Sequence, residues 1–199
     1  MNRTMARACE ILFVDPFVPD LATLLAHVRP QVDAVILDPR RPAAQQIAAA
    51  LGGRDGLDAI HIVAHGVPGQ VCFGAGTWSL ATLQADAGAL AAIGRALAPA
   101  GELRLWSCRT AEGEAGAAFL GALAEAVGAE VCASSARIGA AALGGCWELT
   151  TRKCAWAARA PMTAAGMGSY AGVLDSDLTL PGPLLLGALL VALTRPSTC

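Results

Sequence analysis

Aromatic side chains are scarce in this chain: four Phe, four Trp and one Tyr make up 5 % of its 199 residues. Charge is also sparse, at 15 % of residues, with a net charge of −2 and no long basic run. Without a stacking platform or a positive stripe, no nucleic-acid partner is expected. The seven cysteines include no Cys-x-x-Cys pair, which removes zinc ribbons and thioredoxin motifs. Their odd number and irregular spacing predict a reduced chain whose thiols are mostly small core residues. No glycine-rich phosphate loop follows the first apolar run, which ends on Asp15-Pro16, so a dinucleotide or P-loop site is not expected either. The same Asp-Pro cuts the run short of a secretory h-region. That predicts no Sec export, and a location in the cytoplasm or export by a route independent of a signal peptide. No cofactor and no metal are expected.

Hydrophobic residues, by contrast, make up 55 % of the chain, much of it alanine and glycine. That supports one core of about 150 residues. The first half repeats a pattern of strand, Asp-Pro-x-x-Pro and helix. Ile11 to Val14 with Asp15-Pro16-Phe17-Val18-Pro19 precedes a helix over Asp20 to Val28, and Val35 to Leu37 with Asp38-Pro39-Arg40-Arg41-Pro42 precedes one over Ala43 to Leu51. Proline suits a first helical turn, Asp20 can cap, and Gly52-Gly53 can terminate. A third strand, Asp58 to Ala64, ends at His65-Gly66. A loop or hairpin over Val71 to Trp78, a long helix over Leu80 to Ala98 and a break at Pro99-Ala100-Gly101 follow. The fourth strand, Glu102 to Ser107, runs into Cys108-Arg109-Thr110. A helix carrying Phe119, Leu120, Leu123 and Val127 on one face closes at Gly128, and strands are expected over Glu130 to Ser134 and Cys146 to Thr150.

Apolar strands alternating with helices predict an α/β fold, a three-layer sandwich whose mostly parallel sheet carries helices on both faces. The expected organisation is a tail over 1–9, the α/β domain over 10–151, a linker or terminal strand over 152–177, and an apolar tail over 178–199. Pro181 and Pro183 shorten any helix in that tail below the ~20 residues of a membrane span, so membrane contact there is the lesser expectation.

In an open parallel sheet the carboxyl ends of the strands share one rim, where ligands bind. That rim receives Asp15, Asp38, His65 and Cys108. A thiol becomes nucleophilic as a thiolate, which an imidazole and a helix amino end both favour. His65 is therefore the candidate general base and Cys108 the candidate nucleophile, with the Gly66 and Cys108 N–H groups available to a developing oxyanion. Asp15 and Asp38 have a turn reading, since each precedes proline, and a functional one, selection of a basic substrate side chain. Arg109 is the arginine suited to an acidic side chain. His61, four residues before His65 on the same pleat face, reads as a hydrogen-bonded core ring, and His27 as a surface residue of a helix.

His65-Gly66 closing one strand and Cys108 closing the next resemble the caspase-like cysteine peptidases, although the glutamine and glycine that flank the caspase nucleophile are absent from Ser107-Cys108-Arg109. A fuller likeness runs over about residues 10 to 150. It is carried by Phe13-Val14-Asp15 with Val18-Pro19-Asp20, by Val35-Ile36-Leu37-Asp38, by Leu57 to Gly66, and by Ala140-Ala141-Ala142-Leu143-Gly144-Gly145-Cys146-Trp147-Glu148-Leu149. These segments are similar to the uncharacterised caspase-like N-terminal domain of large bacterial repeat adhesins. The resemblance implies a caspase-like sandwich with a His65/Cys108 dyad and names no substrate. The repeat region of such adhesins is missing here, and Arg109 stands where relatives often carry an acid.

The expected function is a cysteine peptidase-like domain that hydrolyses a peptide bond of a protein, a peptide or its own chain. The alternative is a non-catalytic caspase-like module of a secreted or surface protein. A zinc site built from His65, Cys108 and an aspartate is a third reading.

Overall fold

A computed structural model describes residues 9–151 and 159–176. Five parallel strands form the main sheet: β1 (Glu10–Val14), β2 (Val32–Ile36), β3 (Leu57–Val63), β7 (Leu97–Trp106) and β8 (Glu130–Cys132), in the order β2-β1-β3-β7-β8. A small antiparallel sheet made of β4 (His65–Val67), β5 (Gln70–Phe73) and β6 (Gly76–Ser79) interrupts the chain between β3 and β7. The helices are α1 (Leu21–Ala26), α2 (Ala43–Ala50), α3 (Ala87–Ala96), α4 (Gly113–Val127) and α5 (Ala164–Ser169).

Alternation along each strand sorts the core into two layers. Ile11, Phe13, Ile60, Ile62, Leu103 and Leu105 pack against Ile47 of α2, Leu90 and Ile93 of α3, and Phe119 and Leu123 of α4. The residues between them, Leu12, Val14, Val63 and Trp106, face Leu24 of α1 together with Met162, Tyr170 and Leu174. Burial on both faces is why these strands read as continuous apolar runs. The α/β sandwich expected from the sequence is the one observed.

Several expectations are corrected. The helix anticipated over Leu80 to Ala98 is a 3-10 turn at Leu83–Asp86 followed by α3, and it ends at Ala96. Pro99-Ala100-Gly101 does not break a helix; it lies inside β7, beside a register shift against β3. No strand forms over Cys146 to Thr150, because β8 is only three residues long and offers no ladder to extend. The segment is joined instead by the Ile138–Cys146 bridge, by bonds from the Thr150 and Thr151 N–H groups to the Ala133 carbonyl, and by the Thr150 and Thr151 hydroxyls, which accept from the Ser135 and Ala133 N–H groups. Asp20 stands at the N-cap of α1 but in the left-handed region, at φ 51°, and makes no cap bond. Its carboxylate accepts from the Ala171 N–H instead.

The stretch expected as a linker or terminal strand contributes to the core. Ala160, Met162, Tyr170 and Leu174 are buried in the second core layer, so residues 159–176 belong to the folded unit. The expected reduced state fails at Cys132, which is disulfide-bonded, while Cys72, Cys108 and Cys146 are free thiols. The apolar tail over 178–199 lies outside the described residues. Among those described, no helix is long and apolar enough to cross a membrane.

Candidate active site

β3 and β7 are adjacent and in register, with Val63 opposite Trp106. Two residues beyond each lie His65 and Cys108. The two strand ends touch: a Cβ on Gly66 would stand 2.7 Å from the Cys108 carbonyl oxygen and 2.8 Å from the Ser107 Cβ. Cys108 belongs to the second core layer, on the face that carries Val63 and Trp106, and His65 is in phase with Val63. The expected histidine and cysteine therefore come to one rim.

Their side chains are not joined. His65 Nε2 lies 3.2 Å from the Phe17 carbonyl oxygen. A carbonyl only accepts, so this bond places the proton on Nε2 and leaves the lone pair on Nδ1. Nδ1 is buried and has no hydrogen-bond partner. The Phe17 carbonyl thus orients the ring, a role that a main-chain atom performs and that no sequence pattern announces.

The Cys108 sulfur is fully buried. It accepts from the Ile138 N–H at 3.1 Å and stands 3.5 Å from the Ile138 carbonyl oxygen. Burial pushes the thiol up to about 11, and the Asp175 carboxylate adds to the effect. The N–H groups of Ile138 and Leu174 and the charge of Arg109 pull the other way without overcoming it. In this conformation the sulfur is a protonated thiol rather than the exposed thiolate expected.

What covers it is the segment from Gly172 to Ser176. This extended segment is tied to the strand ends by two isolated bridges, antiparallel to Gly139 through Val173 and parallel to Gly66 through Asp175. The Gly66 N–H donates to the Leu174 carbonyl oxygen at 3.0 Å, and the Cys108 N–H donates to the same atom at 3.3 Å. The two donors expected to meet an oxyanion therefore meet a peptide carbonyl of the chain itself. Leu174 N–H donates to Ile138 O at 2.9 Å, and Ala140 N–H to Gly172 O at 2.7 Å, which holds the segment in place through its main chain. The next side chain, Asp175, is fully buried between two guanidinium groups, Arg109 Nη2 at 3.0 Å and Arg137 Nε at 3.1 Å.

The acidic residues expected at the rim do turn work. Asp15 is 2 % exposed and accepts from the Phe17 N–H and, through its other oxygen, from the Gly74 N–H of the β5–β6 turn. Asp38 accepts from the Arg40 N–H and pairs with the Arg40 side chain. Neither carboxylate reaches the sulfur by any bond. Arg109 meets an acidic side chain, that of Asp175. Its φ of 56° is a left-handed value held by an N–H bond to the Ala136 carbonyl. Among the described residues no three His, Cys, Asp or Glu side chains gather as a metal site, which leaves the zinc reading without a ligand set.

His61 is the core ring anticipated. It is fully buried, with Nδ1 accepting from Trp106 Nε1–H at 3.0 Å and Nε2 donating to Glu10 at 2.8 Å. Arg29 bonds the same Glu10 oxygen.

A family model described as a domain of unknown function, DUF4347, matches residues 11–174. The chain belongs to that family. The match ends at the residue whose carbonyl fills the paired N–H groups. No curated protein and no solved structure matches significantly.

Proposed function

We propose that this DUF4347 domain is a caspase-like cysteine hydrolase acting on peptide bonds, with Cys108 as nucleophile, His65 as general base, the Phe17 carbonyl as orienting group and the Gly66 and Cys108 N–H pair as oxyanion site. The observation that carries the reading is the Leu174 carbonyl oxygen accepting from both N–H groups. Two main-chain donors converging on one carbonyl beside a cysteine form the arrangement acyl transfer requires. The described conformation is then a resting one. For attack, the sulfur leaves Ile138 for His65 Nδ1, which already holds a lone pair.

The test is a peptide vinyl sulfone ending in leucine, with adducts located by mass spectrometry. Labelling is expected at Cys108, and His65→Ala should slow it about a hundredfold or more, the usual contribution of a positioned base. Equal rates with and without the imidazole would remove the dyad.

One observation favours a second reading, a non-catalytic module of a secreted or surface protein. The Cys108 thiol is sealed and held well above neutral pH. The disulfide at Cys132 suits an oxidising compartment. On this reading Cys108→Ala leaves export and partner binding unchanged.

A further inference from the structure

We propose that the bond this site acts on is its own Leu174–Asp175 bond, cleaved in cis, with Arg109 and Arg137 recognising the acidic residue on the leaving side. The inference rests on the hydrolase reading above and names its substrate. Three independent features meet at one peptide unit. The Leu174 carbonyl occupies the N–H pair of Gly66 and Cys108. The following side chain is buried in a clamp of two guanidinium groups, 3.0 and 3.1 Å from its two oxygens. The segment is held on both sides of that unit, by Leu174 N–H to Ile138 O before it and by the Asp175–Gly66 bridge around it.

A fully buried aspartate carboxylate is costly unless it is paired and bonded, so two arginines converging on it make a built recognition site and not a chance surface contact. Substrates of this class carry an apolar residue before the bond and an acid after it. The family match ends at residue 174, so the cut would fall where the shared domain stops.

The step balances as an acyl transfer. Cys108 gives its proton to His65 Nδ1, and its sulfur attacks the Leu174 carbonyl carbon. The oxygen, now negative, keeps its bonds to the Gly66 and Cys108 N–H groups. The tetrahedral centre collapses, the carbon–nitrogen bond to Asp175 breaks, and that nitrogen takes the proton from His65. Water then attacks the Leu174 thioester and restores the thiol, leaving a Leu174 carboxylate and a free Asp175 amine.

The experiment follows the purified full chain by intact mass over time, from pH 7 to pH 10. The expected product ends at Leu174 and appears at a rate independent of protein concentration. Cys108→Ser and His65→Ala should leave the chain whole, and Asp175→Asn, which keeps the shape and removes the charge, should slow the cut. A wild-type chain that stays intact across the range overturns the inference, as does a cut that survives Cys108→Ser or whose rate scales with concentration. The vinyl sulfone separates the two failures. An uncut chain that still labels at Cys108 in a His65-dependent way sinks only the cis substrate, whereas loss of both sinks the hydrolase reading with it.

Discussion

Gly66 has no room for a side chain. An added Cβ would meet the Cys108 carbonyl, the Thr110 hydroxyl and the Ser107 Cβ at 2.7 to 2.8 Å, and two of those three neighbours are bound to the strand end that carries the nucleophile candidate. Gly66→Ala should therefore cost about 1–3 kcal/mol, as overpacking does, read as a lower urea midpoint at unchanged slope. A stability equal to the parent's would show that the strand ends are not so close. At this scale the sequence was legible where chemistry and position coincide: His65, Gly66 and Cys108 were found because each ends a strand. The turn reading of Asp15 holds in its bond from the Phe17 N–H two residues on, while its second bond, from the Gly74 N–H, joins positions too far apart to leave a sequence signal. Phe17 was missed altogether, because its contribution is a carbonyl oxygen that every residue possesses.

Among the elements, α4 illustrates how periodicity becomes packing. Phe119, Leu123 and Val127 recur at helical spacing, all buried, and Gly128 ends the helix at φ 73°. Phe119→Ala should cost about 3–5 kcal/mol by thermal or urea unfolding, while Leu120→Ala, partly exposed on the same helix, should cost clearly less. A similar loss at both positions would contradict the assigned face. Boundaries were harder to read. The Ala-rich run before Pro99 has no strong stop, and α3 yields to β7 at Leu97 because a long parallel ladder with β3 captures the chain there. Cys146 to Thr150 has strand character but no ladder to join. The segment Gly172 to Ser176 falls in the stretch expected as linker or terminal strand, but its place over the site has no sequence signal, since its bonding partners are Gly66, Cys108, Ile138 and Ala140.

For the molecule as a whole, a few buried titratable groups set the response to pH. Burial pulls the Glu10 carboxyl upward, but the hydrogen bonds from His61 and Arg29 outweigh it and hold the group at about 2. A folded value below the unfolded 4.5 contributes stability above that value, and the contribution fades as pH falls toward 2. Burial also lowers His61, whose Nδ1 is occupied by Trp106, so the unfolded chain takes up protons first as pH drops below 6.5. Both act in the same direction on the acid side. At the alkaline side, Cys108 is raised from 9.0 to about 11 and Tyr170 is raised by burial, so stability should fall as pH climbs past 9. Urea midpoints across pH 3 to 10 should peak between about 6.5 and 9, and Glu10→Gln should flatten the acid limb. A peak below pH 5 would contradict the Glu10–His61 arrangement.

By itself the sequence determined the layers and the rim: runs of apolar residues buried on both faces can only be parallel strands under helices, and such strands deliver their ends to one edge. It could not decide the state of the sulfur. That depends on a segment some 65 residues further along folding back over the strand ends. Its hold comes from main-chain hydrogen bonds and a doubly paired carboxylate, and neither a backbone bond nor an ion pair between distant residues leaves a period in the sequence.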